Sequence, residues 1–296
     1  MAKQKVSAKR KISAFTVALS IICILFCVTF ISCENPSQTN VNTEQDFVKV
    51  LDVGQGDCTL IYSNGYSALI DMGTSDSSAD VCSTLMEYGF KEIDVVIITH
   101  LHSDHLGGAE RIAELFKIKN VILPEISVHS DSLELAELLI AKVTDNGVGV
   151  YTASQGMNFE LGEFEFTILA SYDKMEDENN RSVITAVEMD GLKFIFSGDA
   201  EAEAESLLLK EGLNLKCDFF KAAHHGSSTS NTKDLLMAMK PKYTVVSCGE
   251  NNMYGHPHNE VLAAFEYYGT KVYRTDYDGD VTFNVKNGKI YPECEK

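Results

Sequence analysis

From residue 47 onward, short apolar runs alternate with polar or glycine-rich tips along this sequence. Residues 47–53 alternate as a half-buried strand and run into Gly54-Gln55-Gly56-Asp57. Residues 58–62 and 67–70 follow as strands joined through the hairpin signal Asn64-Gly65. Residues 94–98 form a continuous β-branched run, the pattern of a strand buried on both faces. Further strands are predicted at 121–123, around 148–151 and 159–170, and at 181–188, 192–196, 217–223, 243–247, 272–274 and 280–285. Helical spacing marks 81–88, 109–116, 130–146, 200–212, 233–239 and 260–268. Strands interleaved with helices predict an α/β domain.

Residues 12–32 break this rhythm. They are uncharged and apolar, and Lys3, Lys5, Lys9, Arg10 and Lys11 precede them. A basic stretch leading into an apolar one has the form of an export signal, and about 20 apolar residues also suffice to span a bilayer. Phe30-Ile31-Ser32-Cys33, followed at once by a polar, turn-rich stretch, is similar to a bacterial lipoprotein cleavage site with Cys33 as the lipidated residue. The alternatives are an uncleaved signal anchor and, after it, an ordinary cleaved signal. The expected organisation is a signal or anchor over 1–32, a polar linker over 33–46 and one domain over 47–296. That domain is expected to be exported and tethered to the outer face of the cytoplasmic membrane.

Charge narrows the partners. Of 25 basic and 43 acidic residues, 1–32 hold five basic and no acidic ones, which leaves the rest of the chain at −23. Such a field repels long polyanions. From Lys216 to Arg274, seven Lys/Arg meet five Asp/Glu, so a small phosphate-bearing substrate is admitted and an extended nucleic-acid footprint is not. The five cysteines after Cys33 show no CxxC spacing, so they make neither a disulfide framework nor a thiolate zinc site.

The densest chemistry lies in residues 99–108, THLHSDHLGG. A buried strand delivers His100, His102, Asp104 and His105 to one loop, and Gly107-Gly108 lets a helix start close behind. Positions two apart on an extended tip face the same way, so His100 and His102 suit one cation while Asp104 and His105 turn toward another. A polar loop satisfied by water is the plain alternative; three histidines and a carboxylate in six residues tell against it. The same arrangement recurs downstream, with Ser197-Gly198-Asp199, His224-His225-Gly226 and the 249–258 loop each following an apolar strand. Seven of the eight histidines fall at such tips. His129 is the exception and reads as a surface residue at a helix start.

H-x-H-x-D-H after a buried strand resembles the signature of the metallo-β-lactamase fold superfamily. LDVGQGDCTLI followed by LIDMG narrows the resemblance to the extracytoplasmic metallo-β-lactamase domain of ComEC-type competence proteins. The resemblance implies an αββα four-layer sandwich, two mixed sheets back to back with helices outside and metals at one sheet edge. It implies that Asp71 supports the metal loop from behind and that Asp199 bridges two cations. One of the 224/225 pair then completes the second site with Asp104, His105 and Asp199. His224, the first residue past the strand, is the expected ligand, and His225 then faces substrate. The string N-x-Y-G-H-P-H resembles the C-terminal motif of the same type and brings His256 and His258 to the site, and Asp57 is expected near the metals. Asn179-Asn180-Arg181-Ser182 stand where lactamase-type relatives carry a third histidine. The first site therefore holds His100, His102 and Asp199 with one position open.

The reaction this implies is hydrolysis of a phosphodiester by a water activated between two divalent cations, zinc by ligand type with manganese also admitted. Catalytic roles fall to Asp104, His225, His256 and His258, the histidines protonating the departing oxygen. Asn180 and the backbone N–H groups of Ser227 and Ser228 are expected to orient the phosphate. The substrate is DNA if the kinship extends to activity; the alternative is a cell-surface phosphodiester such as phosphorylcholine on wall polymers. A β-lactam is disfavoured by Asn179-Asn180. The rival from another class is a tethered binding module that keeps the fold without the reaction.

Overall fold

A computed structural model of the protein describes residues 45–127, 132–144 and 149–296. The 1–32 segment, Cys33 and His129 lie outside the described residues. Among the described residues, no helix is long and apolar enough to cross a membrane.

Two mixed sheets form the frame. The first orders its strands as Lys289–Cys294, Val281–Lys286, Asp46–Val50, Thr59–Ser63, Tyr66–Ile70, Val95–Ile97, Asn120–Leu123 and Gly149–Thr152. Its neighbours are antiparallel as far as Tyr66–Ile70 and parallel beyond. The second runs Lys271–Arg274, Tyr243–Val246, Phe219–Lys221, Leu192–Phe196, Ile184–Met189, Phe164–Ala170 and Asn158–Leu161, parallel for its first four strands and antiparallel after them.

Alternation along each strand decides the layers. Val95 and Ile97 join the core between the sheets, while Val96 and Ile98 pack outward with the helices Ser78–Glu87, Ala109–Leu115 and Leu133–Thr144. This two-sided burial is why the run is apolar without interruption. In the second sheet, Phe194, Phe196 and Phe219 face the first sheet, whereas Ile195 and Phe220 pack with Ala202–Lys210, Lys233–Met239 and Asn259–Tyr268. The order is helix, sheet, sheet, helix, the αββα sandwich expected from the sequence. Four of the five described cysteines are buried, and all five are free.

The 159–170 stretch differs from the pattern. Residues 159–170 are not a single strand but the hairpin Asn158–Leu161 and Phe164–Ala170, because Gly162 turns the chain at φ 61°.

The chemistry-bearing tips all follow strands in the parallel regions: Asp71 after Tyr66–Ile70, the histidine loop after Val95–Ile97, and Asp199 after Leu192–Phe196. His224-His225 follow Phe219–Lys221, and the 249–258 loop follows Tyr243–Val246. Loops at the carboxyl ends of parallel strands gather at one edge, where open α/β sheets place their ligand sites.

Candidate metal centre

Asp71 builds the histidine loop from behind. Its Oδ1 accepts from the Thr99 backbone N–H (2.8 Å), and its Oδ2 accepts from the Thr99 hydroxyl (2.8 Å) and from His105 Nδ1 (2.8 Å). Thr99 Oγ1 also lies 3.2 Å from His100 Nδ1. Each ring is thereby gripped at Nδ1 and turns Nε2 inward. His100 Nε2 sits 3.0 Å from His102 Nδ1 and 3.9 Å from Asp199 Oδ2, while His105 Nε2 sits 3.3 Å from Asp199 Oδ1 and 3.9 Å from Asp104 Oδ2. Gly56 lets the GQGD turn press on this loop: Asp57 N–H donates to the Asp104 carbonyl (3.1 Å), and a Cβ at Gly56 would run into that same oxygen.

Asp199 is placed by the segment that departs from the lactamase-type pattern. Its N–H donates to Ser182 Oγ (3.0 Å), and Val183 N–H donates to the Thr99 carbonyl (2.8 Å), so residues 182–183 tie the two sheets' metal loops together. Asn180, expected to orient the phosphate, is engaged here through its side-chain oxygen. It is buried, and its side-chain oxygen accepts from the N–H groups of Glu201 (3.0 Å) and Ala204 (3.2 Å), capping the helix Ala202–Lys210. Asn179, next to it, lines the cavity instead.

The histidine pair reverses the expected order. Both residues take left-handed backbone, His224 at φ 49° and His225 at φ 53°, an arrangement that costs energy in non-glycine residues and must be held. Asn231 holds it, accepting from Ala223 N–H (3.0 Å) and donating to the Ala223 carbonyl (2.9 Å), while buried Glu205 accepts from the N–H of Asn231 (2.6 Å). In this turn His225, not His224, enters the donor group. Its Nε2 lies 3.2 Å from Asp104 Oδ2 and 3.5 Å from Asp199 Oδ2, and its Nδ1 lies 3.1 Å from the Ser247 carbonyl and 3.4 Å from Asp57 Oδ1. His224 is less buried, 3.9 Å from Asp199 Oδ2, and its Nδ1 lies 3.2 Å from Glu201 Oε1.

Lys221, Glu205 and Asn231 support the site from outside its motifs, and Ser182 supports it through a role that its motif does not announce. Of these, Lys221 carries a sequence signal, a lysine inside the otherwise apolar stretch FFKAA that follows Asp218. It is buried, and its Nζ donates to Asp57 Oδ2 (2.8 Å).

Ser227 and Ser228 do not offer free amides: Ser227 N–H donates to the His224 carbonyl (2.7 Å) and Ser228 N–H to His258 Nδ1 (2.9 Å). His258 is thus engaged with the turn and is not among the cavity's lining residues, whereas His256 is. Gln55 connects the first motif to this last loop, accepting from Gly249 N–H (3.1 Å) and placing Nε2 3.4 Å from His256 Nδ1.

Ligand-type atoms of Asp104, His105, Asp199 and His225 all lie within 4.8 Å of one another. His105 Nε2 and Asp199 Oδ1 are buried with no hydrogen-bond partner, and buried polar atoms of that kind call for an electrophilic partner. Burial opposes charge on these groups, yet Asp199 and Asp71 push His105 well up, and Asp199 and Asp104 do the same for His225. Burial likewise opposes ionisation of Asp104, whose bond to His225 and proximity to His105 hold it at about 2. Burial and the neighbouring His225, His224 and His258 lower His256 to about 4. Mixed imidazole and carboxylate donors of opposite preferred charge fit divalent cations, which take the protons' place. Asp104, Asp199 and His225 of this group line a cavity of about 1100 Å³ together with His102, Asn179, His224, Tyr254 and His256, while His105 lies buried behind them.

The αββα fold and the clustered imidazole and carboxylate donors place the chain in the metallo-beta-lactamase-fold class. Residues 51–250 match the metallo-beta-lactamase superfamily, and the chain belongs to it. That superfamily typically binds two metal ions. ComE operon protein 3 of Bacillus subtilis (strain 168) is 27% identical over 309 residues, covering 96% of this chain and 38% of that protein. Competence protein ComA of Neisseria gonorrhoeae is 29% identical over 245 residues, covering 82% of this chain and 33% of that protein. The chain therefore spans about a third of the length of each of these relatives. The metallo-beta-lactamase fold protein YhfI from Bacillus subtilis shares the fold at a TM-score of 0.54 and 12% identity, over 84% of this chain and 100% of that one.

Proposed function

We propose that the protein is a metal-dependent phosphodiesterase of small substrate footprint that acts outside the cytoplasmic membrane. The observation that carries this reading is the convergence of Asp104, His105, Asp199 and His225, with His100 and His102 beside them, at a cavity that Asp104, Asp199, His225 and His102 line. His100, His102 and Asp199 would hold one divalent cation, and Asp104, His105, Asp199 and His225 a second, zinc or manganese. When bound, such ions supply Lewis-acid activation of a water and neutralise charge on phosphoryl oxygens.

The chain's own side chains supply the remainder. His225 is buried against the carboxylates and serves as a ligand, so the proton for the departing oxygen falls to His224, which faces the cavity with Glu201 behind its Nδ1. His256, whose ring centroid lies 5.6 Å from that of His224, is placed to hydrogen-bond a phosphate oxygen beside it. A charge of −23 beyond residue 32 disfavours a long polyanion, while the near-neutral 216–274 segment admits a short one. Similarity to competence proteins over 82–96% of the chain supports a DNA-type diester ahead of a wall phosphodiester or a β-lactam.

The purified full chain should contain up to two metal ions and hydrolyse bis(p-nitrophenyl) phosphate in a chelator-sensitive way. His102→Ala should remove that activity; an unchanged rate overturns the reading. Export rests on residues 1–33 alone, and mass spectrometry of the mature N-terminus tests it: an unprocessed Met1 or Ala2 excludes lipidation at Cys33.

A further inference from the structure

Tyr254 stands at the cavity wall with 60% of its surface exposed. Its loop is nevertheless braced. Asn252 Nδ2 donates to the carbonyls of Gly249 (2.9 Å) and His256 (2.6 Å), and Asn252 Oδ1 accepts from His256 N–H (2.9 Å). Gln55 pins both ends of the same loop. One face of Tyr254 lies on His256, with ring centroids 5.6 Å apart and planes at 22°, and His256 lies on His225 at 6.2 Å and 26°. A stack of three rings therefore runs outward from the metal donors and ends in a tyrosine whose other face meets no aromatic ring among the described residues.

An exposed ring adds little to folding, because its area stays in water. Held flat beside a reaction site, it suits recognition of another flat group. The charge of the cavity points the same way. Arg111 is the single Lys or Arg among the lining residues, against Asp76, Asp104, Glu110, Glu114 and Asp199. Phosphate contacts, which ordinarily dominate nucleic-acid affinity, are therefore scarce, and binding energy must come from elsewhere. Stacking on an aromatic side chain is the available source, and it tolerates any base. A quaternary ammonium is held by several rings around it; one open flat face does not make such an enclosure.

We propose that Tyr254 forms a stacking subsite for a planar ring, a nucleobase by chemical class, carried next to the scissile phosphate. The proposal rests on the phosphodiesterase reading. The test uses the full chain and a dinucleotide bearing 2-aminopurine beside its phosphodiester, with fluorescence read on mixing and hydrolysis followed afterwards. Wild type should quench the fluorescence. Tyr254→Ala should abolish the quenching and lower kcat/KM about tenfold, mainly through KM, and Tyr254→Phe, which keeps the ring, should restore both. An abasic analogue should be a poor substrate, equally poor for wild type and Tyr254→Ala. Equal quenching by wild type and Tyr254→Ala overturns the subsite, as does the same loss on the abasic analogue. Dependence on Tyr254 of a phosphorylcholine ester but not the dinucleotide also overturns it. Failure of the underlying reading is separate: wild type would then hydrolyse no phosphodiester, bis(p-nitrophenyl) phosphate included, and the quenching would still decide the subsite.

Discussion

Lys221 donates a 2.8 Å hydrogen bond to Asp57, 164 residues earlier, with both side chains buried. Asp57 belongs to the turn before Thr59–Ser63 of the first sheet, and Lys221 ends Phe219–Lys221 of the second, so the pair joins the sheets beneath the donor group. The other Asp57 oxygen faces His225 Nδ1 at 3.4 Å. The glycine-rich turn and the histidine turn are thus one physical unit.

Breaking that pair leaves a buried carboxylate without its cation. Lys221→Met should destabilise the protein by about 3–5 kcal/mol in urea denaturation, and Asp57→Asn added to it should recover part of the loss. A loss below about 1 kcal/mol would show that water already screens the pair.

Asp71 reaches the reaction only through Thr99 and His105. Asp71→Asn should keep the fold and weaken metal binding about 10–100-fold in competition with a fluorescent chelator, because the carboxylate that orients His105 is gone. Undiminished affinity would mean that packing alone sets the ring.

The two adjacent histidines should separate cleanly by metal content. His225→Ala should lose about one ion per chain by mass spectrometry of the metals, whereas His224→Ala should keep its metal and lose turnover. The opposite pattern would restore the order first expected from the sequence.

Asn180 distinguishes a cap from a substrate contact. Asn180→Ala should cost about 1 kcal/mol of stability through the helix Ala202–Lys210 and leave KM for bis(p-nitrophenyl) phosphate in place. A raised KM with unaltered stability would put the side chain on the phosphate.

Strand and helix positions, the two-sided burial of the 94–98 run and the delivery of seven histidines to strand tips were legible in the sequence, because periodicity and turn chemistry are local properties of the chain. His100, His102, Asp104, His105 and Asp199 were legible for the same reason, each a polar residue just past an apolar strand. The hairpin inside 159–170 was hidden because Gly162 interrupts a run whose pattern otherwise continues. Only the tertiary structure puts His225 rather than His224 in the donor group, since two consecutive left-handed residues aim their side chains by a backbone path that Asn231 and Glu205 hold from outside the motif. It likewise decided that Asn180 caps a helix, that the Ser227 and Ser228 amides are engaged, and that Lys221 stands under the site. Apart from the local Ser227 bond, each depends on which distant group is brought within about 3 Å, and that follows from how the sheets and loops pack rather than from any neighbouring residue.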